Sequence, residues 1–202
     1  MRNTTYFFLV VLFFFSSCAK EQLEVDIPPQ TPLFKVNLMK DGQQLLIEAG
    51  KDDFYLFTDA SISTAGDVFA PISEFAKLEP CIANCLETFS INIKNIPTAE
   101  VDTYFDEMDF NAEKFNLLAD PDTAGAIVIK YIDQGGVEYL SSLGVQANGN
   151  YFTITDIESY LNNDKGQQTK LVHAVLQCNL FNDTGESLEL KSGEIIIAIA
   201  IP

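Results

Sequence analysis

The chain has 202 residues, 47% of them hydrophobic, and a net charge of −17 from 12 basic and 29 acidic side chains. That balance, with no cluster of Lys or Arg, opposes docking on nucleic acid or on anionic headgroups, because phosphate contacts need concentrated positive charge. The apolar content is that of a folded chain, and the absence of Trp removes the commonest sugar-stacking platform.

The first element is an apolar run of ten residues, Tyr6 to Phe15, with Arg2 before it and Ser16-Ser17-Cys18 after it. As a helix it would reach about 15 Å, roughly half of a bilayer core, which is too short for a permanent span. A basic start, a short apolar stretch and small residues before a cut are the layout of a secretory signal peptide, here residues 1–17. Phe15-Ser16-Ser17-Cys18 resembles the lipobox of bacterial lipoproteins, with Phe15 where that family usually has an aliphatic residue. The resemblance implies that the Cys18 thiol is acylated and that Cys18 begins the mature chain on a multi-chain, palmitate-type anchor. Ala19 is not the aspartate of inner-membrane retention, and Lys20-Glu21 resembles the export tags of surface lipoproteins in gliding, glycan-foraging Gram-negative bacteria. The expected location is therefore the cell outer membrane, facing the periplasm or the surface. Residues 18–32, with Pro28, Pro29 and Pro32, read as the lipidated N-terminus and a stiff tether.

Period-2 apolar patterns follow, which predict strands with one buried face. In "LFKVNLM", Phe34, Val36 and Leu38 share a face; "KDGQ" at Lys40 to Gln43 then signals a hairpin. "CIANC" makes Cys81 and Cys85 candidates for a local disulfide, expected in an exported protein and worth roughly 2 kcal/mol. Structural zinc would want about four Cys or His ligands, and the chain has one His. Cys178 is then the odd thiol, or it pairs with one of these two. "SINIK" is a further strand, and Thr98 to Met108 sets Val101, Tyr104, Phe105 and Met108 at helical spacing.

The strand pattern lapses over residues 96–122, read as a connection between an N-terminal β domain (33–95) and a C-terminal one (123–202). In the second, "DQGG" and "NDTG" are hairpin signals, and "TDIE" at Thr155 to Glu158 has the form of a capping box that would open a short helix. "LVHAVLQCNL" puts Val172, Ala174, Leu176, Cys178 and Leu180 on one face. "EIIIAIAI" ends the chain with large and small apolar faces, suiting a strand covered on both sides. The predicted fold class is all-β: immunoglobulin-like antiparallel β-sandwich units, two of them, with one or two short helices. Whether they form one domain or two stays open. The N-terminal pattern, including "AGKDDFYLFTD" before "CIANC", resembles uncharacterised β-rich lipoproteins of the same bacterial group. That resemblance implies an architecture and no activity.

No catalytic constellation is legible. His173, the only imidazole, falls mid-strand, and no Gly-x-Ser-x-Gly elbow accompanies it. Cys178 falls on an apolar face, where a thiol packs as a small hydrophobe. Tyr139, Tyr151 and Tyr160 are sugar-stacking candidates whose plainer role is packing at strand edges. The oxygen-rich loops at 117–125 and 161–166 are the chain's nearest approach to a calcium site, although Asp, Asn and Gly are also what turns are made of. No catalytic residue, metal ligand or cofactor is assigned. The expected partners are a membrane, through the lipid anchor, and a protein or glycan ligand. The expected function is a non-enzymatic binding or assembly module of the cell envelope; the alternative is an exported carboxylate-based hydrolase acting on glycans.

Overall fold

The computed structural model describes residues 34–78, 86–108, 115–117, 120 and 122–201. All lie in one compact unit, Thr31–Pro202. The leader, Cys18, the tether, and the Cys81 and Cys85 pair lie outside the described residues. No helix among the described residues is long and apolar enough to cross a membrane.

The strands are β1 (Lys35–Lys40), β2 (Gln43–Glu48), β3 (Phe54–Ile62), β4 (Val68–Lys77), β5 (Thr88–Lys94), β6 (Ile96–Pro97), β7 (Ala126–Ile132), β8 (Glu138–Leu140), β9 (Tyr151–Tyr160), β10 (Thr169–Phe181) and β11 (Ser187–Ala200). They join one sheet in the order β2-β1-β11-β10-β8-β7-β5-β4-β3, with β6 on β4 and β9 on β10. Every strand pairing is antiparallel. The all-β, antiparallel expectation holds. The division into two immunoglobulin-like sandwiches does not appear: strands from 33–95 and from 123–202 share a single sheet, curled until it is nearly a barrel. The reason is that β1 pairs with β11 on one side and β5 pairs with β7 on the other, so the two halves are stitched together twice.

Alternation places the core as the sequence pattern implies. Val36, Leu38, Val172, Ala174, Leu176, Cys178, Leu180, Ile195, Ile197 and Ile199 are all buried in one cluster. Two polar ties cross the interior between strands that are not neighbours. The Ser73 hydroxyl of β4 donates to the Ala198 carbonyl of β11. Lys40 Nζ at the end of β1 donates to the Tyr131 hydroxyl of β7 at 3.1 Å and lies 4.8 Å from its ring centre.

One helical expectation holds and one fails. A 3-10 turn at Thr98–Glu100 runs into α1 (Val101–Phe105), burying Val101, Tyr104 and Phe105, but the helix stops there and leaves Met108 exposed. The Thr155 capping box forms no helix. Thr155 is the bulged residue of β9, and its hydroxyl donates to the His173 carbonyl at 3.2 Å on the partner strand. The bulge resets the alternation, so that Phe152 and Ile154 before it and Ile157 after it all face the core. Pairing along β10 and burial of three large side chains outweigh one cap.

Candidate functional site

The site begins with a turn that recurs three times among the described residues. Residues 133–137, 163–167 and 182–186 each start with Asp or Asn and carry Gly at the fourth place. In each, the first residue's Oδ1 accepts backbone N–H bonds from the third and fifth residues. Its own N–H donates to the fifth residue's carbonyl at 2.9–3.1 Å. The glycines, Gly136, Gly166 and Gly185, have φ of 83°, 78° and 86°, the left-handed region that side chains resist. The oxygen-rich loop at 161–166 is thus a turn whose Asn163 Oδ1 already accepts two amides.

In the 163–167 turn the remaining side-chain donors reach a different strand. Asn163 Nδ2 donates to the Thr58 carbonyl at 3.2 Å, Gln167 Nε2 donates to the Ala60 carbonyl at 3.4 Å, and Lys165 Nζ pairs with Asp59 at 2.6 Å. All three targets are on β3, an end strand of the sheet. Its seam is therefore closed at this end by side chains rather than by a backbone ladder.

Toward the other end of β3 the seam opens into a groove of about 510 Å³. Its walls are Phe34, Tyr55, Leu56, Phe57, Ile72, Tyr160 and Leu161, with Asp59, Glu74, Asn162, Asp164 and Lys165 among the polar groups. Tyr55 and Phe57, two apart on one face of β3, are 46% and 41% exposed, unusually wet for large aromatics. Phe34 meets Tyr160 edge to face, with ring centres 5.4 Å apart. The Lys165 hydrogen bond holds the Asp59 carboxyl below its ordinary range.

A second groove of about 640 Å³ adjoins the first and shares Tyr160, Asn162 and Thr169 with it. It is more polar, lying between the end of α1 and the β9–β10 hairpin. There Glu107 accepts from Lys170 Nζ at 2.7 Å and from the Ser159 hydroxyl, and its carboxyl is lowered chiefly by the Lys170 bond. Deep in the fold, the Tyr131 hydroxyl donates to Glu87 at 2.8 Å while accepting from Lys40, and burial pushes this phenol far above its usual range. Each partner in that group is satisfied, so it ties the fold together without offering a reactive atom.

Of the candidate chemical side chains Tyr139, Tyr151, Tyr160, His173 and Cys178, Tyr160 alone lines a groove, and the oxygen-rich loop at 161–166 lines the first groove beside it. Tyr139 is half-buried on β8, Tyr151 is exposed on β9, and His173 lines neither groove. Cys178 is a free thiol, fully buried, and burial pushes it up to about 12, so it is inert. Tyr55, Phe57 and Asp59 were missed. Their only signal is "FYLFTD", aromatic on both faces of a strand, which a single buried face does not require. No group of three or more metal-ligating side chains converges among the described residues. No protein family, curated protein or solved structure matches the chain.

Proposed function

We propose that the chain is an exported, lipid-anchored cell-envelope protein that acts as a non-enzymatic binding module, with the groove beside β3 as its ligand-contacting surface. The observation that carries the binding role is the pair of exposed aromatics, Tyr55 and Phe57, set beside the groove with its carboxylates and amides. Apolar faces with a few convergent polar groups are what small binding sites are built from. The lipobox-like leader supports the placement in the outer membrane through Cys18. Against the hydrolase reading, a general acid needs a raised pKa, and the bonds from Lys165 and Lys170 lower the Asp59 and Glu107 carboxyls, so these two are unsuited to that role.

The anchor is tested by feeding cells an alkynyl palmitate analogue and comparing wild type with Cys18→Ala. The wild type takes up label and partitions into detergent, and the variant does neither. Equal label in both removes the anchor.

A further inference from the structure

We propose that the open seam of β3 binds an extended, basic peptide segment as an added strand. This deepens the binding role just proposed and rests on it.

The parity of β3 is set at both of its ends. The Asp53 carbonyl accepts from Leu78 N–H, and Ser63 N–H donates to the Val68 carbonyl, so both odd-numbered residues bond to the β4 side. The register from Phe54 to Ile62 against β4 has no shift. Residues 55, 57, 59 and 61 therefore bond to β4, while 56, 58 and 60 turn their N–H and C=O groups to the seam. The Thr58 and Ala60 carbonyls are taken by Asn163 and Gln167, and both backbone groups of Phe54 are bonded in the preceding turn. Leu56 is left with its N–H and C=O facing the groove and no partner among the described residues, and the Thr58 N–H joins it. From Leu56 to the Thr58 N–H the open seam runs about 7 Å at strand rise, enough to pair with roughly three residues of an added strand.

The occupant's chemistry follows from the walls. Alternating side chains of an added strand would lie over Tyr55 and Phe57 on one side and against Phe34 and Tyr160 on the other. Among the described lining residues Asp59, Glu74 and Asp164 outnumber the one cation, Lys165. Asp59 pairs with Lys165 and Glu74 with Lys130 of β7 at 3.6 Å, which leaves the exposed Asp164 carboxylate to meet a ligand's charge. In a chain of net charge −17 this selects a peptide with Lys or Arg. The chain's own residues 19–32 fit poorly: Glu21, Glu24 and Asp26 repeat the groove's charge, and Pro28, Pro29 and Pro32 lack the N–H a ladder needs.

The test uses the full chain in detergent micelles and a probe peptide of about seven residues alternating lysine and valine. Hydrogen exchange at the Leu56 and Thr58 amides is fast in the free protein and slows about tenfold or more with saturating peptide. The same peptide N-methylated along one edge, and its counterpart with glutamate for lysine, each bind about tenfold more weakly or worse. Asp164→Lys, on the exposed tip of its turn, loses affinity for the basic peptide while its circular dichroism is unchanged. Equal binding of the basic and acidic peptides, indifference to N-methylation, or unslowed exchange overturns the proposal. So does a Leu56 amide already protected in the free chain and released on deleting residues 19–32, which would make the chain its own ligand. If chitotriose binds with loss in Tyr55→Ala while no peptide binds, the binding role stands and the peptide falls.

Discussion

The β10–β11 hairpin and the β3 seam are built from similar strands and finished in opposite ways. β10 and β11 pair along nearly their whole lengths, from Thr169 opposite Ala200 to Phe181 opposite Ser187, and their inward residues are almost completely buried. β3 has one partner, β4, and its far edge is held by the side chains of Asn163, Lys165 and Gln167 before opening over Leu56. The same turn makes the contrast sharper. At 182–186 the Asn182 Nδ2 donates to Glu186 within its own turn, whereas at 163–167 the Asn163 Nδ2 donates to Thr58 as well as to Gln167 of its own turn. One turn only closes a hairpin; the other also closes a sheet. Backbone ladders make stability, and a seam closed by side chains leaves room for a ligand.

The largest expected effect is in the hairpin. Ile197→Ala, at a fully buried position, should cost about 2–5 kcal/mol by denaturant unfolding, whereas Tyr55→Ala on the seam should cost less than about 1. Equal costs would mean that the seam bears as much of the fold as the hairpin does.

The paired turns come next. Asn182 is buried and its Oδ1 accepts three bonds, so Asn182→Ala should cost about 1–3 kcal/mol. Asn163→Ala should cost about 1 kcal/mol and speed hydrogen exchange along residues 56–60, which Asn182→Ala leaves unchanged. If both variants alter exchange on β3 alike, the turn at 163–167 has no special part in the seam.

The smallest effect is electrostatic. Lys165 lowers the Asp59 carboxyl from its ordinary 3.8, so the pair's contribution is fully present above that value and fades as pH falls through the lower folded value. Both groups are well exposed, which limits the gain to no more than about 1 kcal/mol. Lys165→Met should therefore be slightly less stable than wild type at neutral pH and indistinguishable from it in strong acid. A carbon-detected NMR titration should show Asp59 returning toward 3.8. An unmoved Asp59 would show that Lys165 does not hold the seam.

Much of this was legible along the chain. Val36 and Leu38, the Val172 to Leu180 set and the alternating isoleucines of β11 announce their strands, because period 2 is a local property of extended backbone. The Asp41-Gly42 hairpin was equally plain, and both residues take positive φ, as the tight turn requires. Thr155 misled because a capping box is read over four residues, while the choice between helix and strand there was made by β10. The site was mostly hidden. Tyr55, Asp59, Tyr160 and Lys165 are separated by up to 110 residues and meet only where the sheet curls back on itself.

Composition and local pattern by themselves determined that the chain is acidic, β-rich and carries an apolar run, Tyr6 to Phe15, followed by Ser16-Ser17-Cys18, since these depend on neighbours a few residues apart. Tertiary structure alone decided that the two halves share one sheet, that β3 stands at its unclosed edge, and that a groove lies there. Pairing between distant strands is set by the burial of whole faces at once, and no short window of sequence contains that sum.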